Sequence, residues 1–571
     1  MNRLSKLISR INKIMIVLLL LLSVVNILAP FFLFYYGRNL RLIHYFEMHH
    51  TIRRLLSFII LVVAYKLYKR VSAAWSIVML ALSLMIFQFL LIHRDRIGHP
   101  LFLLEVLCYF ILLLSKNYYC RKMDRFSLKK GIGIYFLYAL FIFFNAVIAL
   151  LKEKGKVSFF LCMKGTVEVI FDLDNLTPVL YSQNSIYHSF IFWISWLCIL
   201  TGLIFILTPY ISKKAQLQEE VDKARVLVKK YGQNWSSYLA LEGDKSYFFG
   251  KSVEGVIAYG IVRDTLVVLG EPVCAPEDFI TFLAEIKSYC EENAYSLLFL
   301  NTTSLYLKQY ERLGLGCVKC GEEPRFYLPE YSIAGGKASK VRLNINHATK
   351  AGILIREYDP RKSRVSVLEK EMKEVSQEWF AMKKSGELVF TMGSIGFEKP
   401  MDRRYFYAIN PENQVEGFIV FVPFAGMNGY MADVTRHRRN ATRGVMEKIF
   451  YEAMMAFKEE GIEWGSLAVA PLARLEEEPE VSAKLLNTIY EKMNHVYGFK
   501  TLYQTKQKYN PTYWEPNYYV YYPPIFTPAM AYAIIRIQNP SGIMDYARAF
   551  FRNSRKKTDK VDSGNNENPI A

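Results

Sequence analysis

The residues best suited to chemistry lie between Gly429 and Leu472, GYMADVTRHRRNATRGVMEKIFYEAMMAFKEEGIEWGSLAVAPL. A short alternating run (Tyr430, Ala432) ends in a carboxylate, Asp433, and a basic loop, Arg436-His437-Arg438-Arg439, follows it. An apolar-periodic segment from about Thr442 to Gly461 carries Val445, Ile449, Met454 and Phe457 at helical spacing. Gly461 ends it, and Trp464–Ala470 reads as a buried strand. Strand, basic loop, helix and strand make a βαβ unit, and the helix N-terminus at its mouth favours an anion. The same residues also suit an ordinary arginine-rich surface loop, and pattern alone does not separate the two.

Such a unit needs a scaffold, and a chain of 571 residues has room for two or three domains. It is 52% hydrophobic with 39 Phe and 39 Tyr, but long charge-free runs crowd the first 211 residues and mixed, charged sequence fills the rest. A membrane part therefore precedes a soluble part. The formal net charge of +19 suits an anionic partner, either lipid headgroups or nucleic acid or both. Of the eight cysteines, only Cys317-x-x-Cys320 has suggestive spacing. One such pair defines no zinc site, and nothing resembles a disulfide framework. The first apolar run is too long for a signal peptide and lacks a clear cleavage site, so it is expected to be retained.

A hydrocarbon core about 30 Å thick needs roughly 20 helical residues. Ile14–Tyr36, Val71–Ile92, Gly131–Leu151 and Ile186–Ile211 meet that length, and Leu55–Tyr68 and Leu101–Ser115 are shorter. Six spans put both ends of the membrane part on one side. The basic N-terminus (Arg3, Lys6, Arg10, Lys13), the Lys66–Arg70 turn and the Lys116–Lys130 loop place that side in the cytoplasm, against the four arginines of the Arg38–Arg54 loop. The chain then reads as a multi-pass protein of a bacterial-type cytoplasmic membrane, with the soluble part inside. Residues 152–185 fall outside. Glu105, inside a short span, is either a functional group or the mark of a poorly placed span.

Lys213–Tyr231 reads as a charged amphipathic connector. Beyond it, SYFF, GVIAYGIV and TLVVLG suit an antiparallel meander, followed by a helix over Pro276–Asn293, a strand over Ser296–Leu300 and a helix over Ser304–Leu313. The order repeats in outline. A basic helix (Lys340–Ala351), a strand and a helix over Val365–Lys383 lead to strands Arg404–Ile409, Glu416–Pro423 and Gly429–Asp433, then the 442–461 helix, the 464–470 strand and a 482–496 helix. Two such units suggest a duplicated N-acyltransferase-like (GNAT-like) α+β fold without a residue-by-residue repeat. The expected division is a membrane domain over 1–211, a connector over 212–235, subdomains over 236–335 and 336–525 with the active site in the second, and a C-terminal part over 526–571. In that last part, Pro523–Phe551 is read as lying on the membrane surface and the tail from Arg552 as disordered.

A coenzyme A-dependent acyltransferase wraps pyrophosphate in a Gly-rich turn at a helix start. Here the corresponding turn is Arg439-Asn440-Ala441-Thr442-Arg443-Gly444, which lacks that spacing and offers guanidinium groups suited to a larger phosphate surface. No Walker sequence, dinucleotide fingerprint, nucleophile elbow or metal-ligand cluster stands in the soluble part. The expectation is a donor other than coenzyme A, a nucleoside triphosphate or a dinucleotide, with no cofactor and no metal.

The soluble half resembles the synthase domain of the multiple peptide resistance factor family, the phosphatidylglycerol lysyltransferases. The resemblance rests on stretches in order over nearly half the chain: Gly243-Asp244-Lys245-Ser246-Tyr247-Phe248-Phe249, Leu269–Val273, Gly321-Glu322-Glu323, Arg342–Gly352, Asp433-Val434-Thr435-Arg436, Gly444–Glu447, Ala468–Leu472, and Lys506–Pro511 with Trp514. It implies transfer of a lysyl or alanyl group from aminoacyl-tRNA to the headgroup hydroxyl of phosphatidylglycerol. Such transfer lowers negative surface charge and so confers resistance to cationic antimicrobial peptides. The basic patches would serve the tRNA backbone and anionic lipid. It further implies Asp433 for the substrate amine or attacking hydroxyl, Arg436 for the lipid phosphate, and Lys506 and Lys508 for phosphate or the developing oxyanion. Glu323, Arg342, Asn346, Arg438, Arg439, Arg443, Glu447 and Trp514 are substrate-binding candidates. For the cations the plain alternative is a solvated or tRNA-facing surface charge, and for Asp433 a cap. The chain departs from the family pattern in having Glu447 and Asn517 where Asp and Arg are usual. Six spans are too few for the family's further flippase bundle, so a synthase without one is expected. Transfer to diacylglycerol or an envelope peptide, a non-catalytic membrane scaffold or transport component, and coenzyme A-dependent acylation are the competing readings. Homo-oligomerisation is left open.

Overall fold

The computed structural model describes residues 3–36, 50–92, 99–119, 132–141, 143–144, 160, 194–195, 197–199, 201–202, 218–382, 389–471 and 499–539. The chain divides into two compact units, Met1–Ser212 and Lys213–Ala571.

In the first unit, helices Arg3–Tyr36, His50–Tyr68, Ser72–Ile92 and Pro100–Leu114 pack around Leu19, Ile60, Val63, Val78, Leu82 and Leu112. Among the described residues, Arg10–Ile27 and Ser72–Leu91 are long and apolar enough to cross a membrane, while Leu56–Tyr68, Pro100–Leu114 and Ile132–Phe141 are shorter. Most of the Ile186–Ile211 span and nearly all of the 152–185 loop lie outside the described residues. Arg53, expected in a loop, sits inside the His50–Tyr68 helix and ion-pairs with Glu105, which is 1% exposed. Glu105 thus has a structural partner, as a charge among apolar helices requires.

The second unit is built on one sheet. Its strands are β1 (Ser246–Phe249), β2 (Gly255–Val262), β3 (Thr265–Leu269), β4 (Val273–Cys274), β5 (Ser296–Thr302), β6 (Gly316–Tyr327) and β7 (Leu354–Tyr358). They continue as β8 (Arg404–Ile409), β9 (Val415–Pro423), β10 (Gly429–His437), β11 (Trp464–Ser466), β12 (Ala470–Pro471) and β13 (Tyr513–Tyr522). The spatial order is β1-β2-β3-β5-β13-β6-β11-β10-β9-β8-β7, with β4 on β2 and β12 on β6. Central strands such as β3 (TLVVL) are buried at every position, which is why their sequences run apolar instead of alternating.

Each half follows the same course. β1 to β3 form an antiparallel meander, helix Phe279–Glu292 crosses over, and β5 returns parallel to β3. β7 to β10 form a second meander, helix Val445–Glu459 crosses over, and β11 returns parallel to β10. Gly444 starts that second helix at φ +93°, where a Cβ would lie 1.9 Å from the Asn344 carbonyl oxygen, so only glycine lets it pack against helix Ser339–Lys350.

The halves then exchange their last strands. β6 leaves the first half to run antiparallel to β11, and β13 leaves the second to run antiparallel to β5, with β6 and β13 side by side. The two subdomains expected on either side of residues 335 and 336 therefore share one sheet, each completed by a strand from the other's stretch of sequence. The C-terminal part is corrected. Helix Pro528–Gln538 buries Met530, Ala533 and Ile534 in the core around Val267 and Leu300 instead of offering that face to a bilayer. Likewise the connector, described over Gln218–Tyr231, packs Ala224, Leu227 and Val228 against Val256 and Ala258. The 482–496 helix and everything after residue 539 lie outside the described residues. A fragment ending at residue 335 is expected to show no cooperative thermal transition, because β5 and β6 would each lose the neighbour β13; a sharp melt by circular dichroism would refute the exchange.

Candidate functional site

Strand β10 supplies the first group. Its pairing with β9 slips between Ala432 and Val434, which leaves Asp433 as the extra residue of a β-bulge, a device that re-aims the side chain it carries. On its other side β10 pairs with β11 only from Gly429↔Trp464 to Met431↔Ser466. Beyond that pair lies a cavity of about 500 Å³, lined by Ala432, Asp433 and Thr435 from β10 and by Leu467, Ala468 and Val469 from the segment after β11. Lys506 lines the same cavity, and Trp235, Trp379, Met392, Leu502, Phe526 and Ile534 give it a largely apolar wall.

Asp433 is 7% exposed. Burial pushes its carboxyl up to about 6, against the opposing hydrogen bond from the Gly393 N–H; the nearby Glu242 adds to the rise, and Arg403 and Arg436 oppose it. The Gly393 N–H donates to both oxygens, at 2.9 Å and 3.2 Å.

Lys506 comes from helix Phe499–Gln507 and is 9% exposed. Burial pulls its ammonium down to about 7, with Glu323 acting weakly the other way. Its Nζ donates to the carbonyls of Ala468 and Val469, both at 2.9 Å. Ala468 adopts φ +61°, a region rarely used by a side chain other than glycine, at the turn that presents both carbonyls to the lysine. Glu323, 1% exposed, accepts from Ser466 Oγ at 2.5 Å, from Trp235 Nε1 at 3.1 Å and from Arg325 at 3.2 Å. It therefore orients a cavity-wall indole and the end of β11.

Other candidates stand elsewhere. Arg436 is buried on β10, not in a loop, and its guanidinium lies 4.1 Å from the Trp379 ring centroid and 4.7 Å from that of Phe380. Lys508 points away from Lys506, as residues two apart near a helix end do, and holds Glu447 at 2.7 Å. Glu447 also accepts from Asn344 at 2.8 Å; burial raises its pKa, but the hydrogen bond and charge of Lys508 together with the Asn344 hydrogen bond hold it below the ordinary carboxylate range. Lys508, expected as a catalytic group, is thus placed in an ion pair and not among the residues that line the cavity. Lys508→Met should cost about 1–3 kcal/mol of stability while leaving the chemistry at the cavity within a few-fold of wild type, checked by melts and turnover side by side.

The basic loop is also corrected. Arg438 is engaged by Glu371 at 3.4 Å and Glu378 at 3.5 Å, and donates to the Val415 carbonyl at 2.7 Å. The Arg439 N–H donates to Glu378 at 2.7 Å and the Thr442 N–H to Glu416 at 2.7 Å. Two N–H groups of the loop that leads into the helix are thus taken by the chain's own carboxylates. Arg439 is exposed, and Arg443 is exposed and donates to Asn344 at 3.0 Å. Asn346 is exposed, and Asn344, two residues earlier on the same helix, is the residue that reaches Glu447. Arg342 donates to the carbonyls of Ile333 and Gly335, which ties a loop. Trp514 is half-buried against Tyr503, ring centroids 4.7 Å apart. Asn517 is 1% exposed and donates to the Glu515 carbonyl at 3.2 Å. Glu242, Arg403, Gly393 and Ser394, which surround Asp433, carried no periodic or motif signal.

Two crossover units on one sheet, with a buried carboxylate and a buried amine lining a cavity where parallel strands stop pairing, define the class: an acyltransferase-like α+β protein. Residues 225–521 match the family model described as phosphatidylglycerol lysyltransferase, C-terminal, and the chain belongs to that family. It is 25% identical over 356 residues to a phosphatidylglycerol lysyltransferase of Staphylococcus aureus and 23% identical over the same length to that of Staphylococcus xylosus. In both cases 62% of this chain aligns with 41% of the relative, so the chain matches well under half the length of these relatives. The structure of L-PGS from Bacillus licheniformis aligns with 58% of this chain and 97% of its own at a TM-score of 0.50 and 22% identity, which shows a shared fold.

Proposed function

We propose that the chain transfers an aminoacyl group, lysyl or alanyl, from aminoacyl-tRNA to the glycerol hydroxyl of phosphatidylglycerol at the inner face of a bacterial-type cytoplasmic membrane. The observation that carries this reading is one cavity lined by both Asp433 and Lys506, on the fold of a family named for lysyl transfer to that lipid. The lipid hydroxyl oxygen attacks the ester carbonyl carbon, the carbon–oxygen bond to the tRNA ribose breaks, and the proton passes from the lipid hydroxyl to the ribose oxygen. One ester replaces another, so no oxidant, nucleotide or metal is needed.

Lys506 is the proton carrier. A neutral amine has two N–H donors, and the two carbonyl bonds engage both, which leaves its lone pair for a hydroxyl in the cavity. Its lowered pKa makes that neutral form available near pH 7. Asp433, ionised above about 6, holds the α-ammonium of the aminoacyl group. Exposed Arg439 and Arg443 suit the tRNA backbone, and Arg436, stacked beside the cavity wall, suits the lipid phosphate. In cells the product would lower negative surface charge and blunt cationic antimicrobial peptides.

The test is transfer by the purified full chain from radiolabelled Lys-tRNA and Ala-tRNA into vesicles of phosphatidylglycerol or of diacylglycerol in a neutral carrier. Labelled, ester-linked phosphatidylglycerol supports the reading. Label only in diacylglycerol, or none, rejects it.

A further inference from the structure

The carboxylate that faces the cavity is held from outside it, by a segment with no strand or helix of its own. Val389 N–H donates to the Gln538 carbonyl at 2.8 Å and Phe390 N–H to Asp244 at 2.9 Å. Gly393 N–H then reaches both oxygens of Asp433. Ser394 follows, with its Oγ 3.1 Å and its N 3.4 Å from the oxygens of Glu242. Glu242 is fixed in turn by Arg403, which is 2% exposed and also donates to the Lys399 and Pro400 carbonyls. Thr391 and Met392 of this strap line the cavity.

Glycine is needed at 393 for room, since a Cβ there would lie 2.3 Å from Asp433 Oδ2, 3.0 Å from Glu242 Oε1 and 3.1 Å from Leu239 Cδ2. Nothing about its backbone angles demands glycine, so an added methyl group would strike the carboxylate without unfolding the turn.

We infer that Gly393 and Glu242 are positioning residues for Asp433: Glu242, anchored on Arg403, fixes the strap through Ser394, and the strap holds the carboxylate through the Gly393 N–H. This rests on the reading of Asp433 as the anchor of the aminoacyl group. Glu242 also acts through charge. The charged groups around Asp433 are Glu242, Arg403 and Arg436, with Lys506 and His437 on the same cavity. Of these, Glu242 favours the protonated carboxyl. Glutamine at 242 keeps an oxygen for Ser394 and removes that charge, so the part of the acid limb set by Asp433, the steepening below about 6, moves to lower pH. Alanine at 242 removes the strap's anchor.

The experiment uses the full chain and the transfer assay above. Gly393→Ala should melt within a few degrees of wild type and lose about 100-fold in kcat/KM, the order expected when a reacting group is misplaced by about 1 Å. Glu242→Ala should lose at least about 10-fold, while Glu242→Gln keeps most of the neutral-pH rate and shows the shifted acid limb. Wild-type transfer together with Gly393→Ala at full rate, or Glu242→Gln with an unmoved profile and a rate no better than Glu242→Ala, overturns the positioning role and leaves the proposed reaction standing. Failure of the wild type to transfer removes both. Should Gly393→Ala not fold, the Glu242 pair decides.

Discussion

Lys506→Arg should abolish transfer while leaving the protein folded. Arginine keeps the length and charge but cannot give up its proton at any accessible pH, so it cannot serve as a base. Loss of a positioned acid–base group costs about 100- to 10,000-fold in rate. Lys506→Met should be equally inactive and, unlike most core substitutions, more stable. The folded pKa of Lys506, about 7, lies below its ordinary 10.5. The stability tied to its proton equilibrium is thus whole above 10.5 and is lost as pH falls through 7, so at pH 7 the buried amine is a liability. Removing it should raise stability by about 1–3 kcal/mol, less than the pKa difference alone suggests because two carbonyls lose their donor. If Lys506 were a phosphate ligand, Lys506→Arg would retain much of the activity, and substrate affinity would suffer instead of turnover.

Asp433→Asn is the second large effect. Truncating one partner of a desolvated, hydrogen-bonded charge pair costs about 2–5 kcal/mol, so kcat/KM should fall roughly 30- to 5,000-fold, mostly through KM for the charged tRNA. The sign for stability again runs opposite to the usual carboxylate. The folded pKa of Asp433, about 6, lies above its ordinary 3.8, so its contribution is whole below 3.8 and lost as pH rises through 6. The amide oxygen of the variant would still accept from Gly393, and above pH 6 the substitution spares the protein a buried charge; a melting temperature higher than wild type at pH 7.5 is the expected result. Both groups therefore trade stability for reactivity, a pattern typical of sites and not of structural ion pairs. Lys508 and Glu447 show the contrast, for their pair supports the fold.

What was legible in the sequence follows from range. The strand–helix–strand unit over 429–470 could be read because its signals are local: alternation in β10, helical spacing from Val445 to Phe457, a stop at Gly461. Asp433 and Lys506 could be named through resemblance, but the bulge that turns Asp433 inward depends on register against β9 and left no mark in composition. Arg438 looked like a phosphate ligand because its neutralisers, Glu371 and Glu378, sit on a helix some sixty residues earlier. Asn346 was named while Asn344 was not, because two positions along one helix turn a side chain to another face and the resemblance does not say which face meets Glu447. The exchange of β6 and β13 was out of reach, since both pairings join distant segments and β13 carries Pro516 in mid-run, which argues against a strand. Helix Pro528–Gln538 was misplaced because an amphipathic face is equally suited to a bilayer or a sheet.

The most direct measurement is the pH dependence of aminoacyl transfer from charged tRNA to phosphatidylglycerol under single-turnover conditions, for wild type and Lys506→Arg together. For the wild type, a rate that climbs with pH to a plateau above about 7, steepening below about 6 where Asp433 also protonates, is the expected result. Lys506→Arg should stay at least about 100-fold slower than wild type on the plateau. A lysine-to-arginine variant that transfers at the wild-type rate, or a wild-type profile flat from pH 5 to 8, would show that the buried amine is not the base.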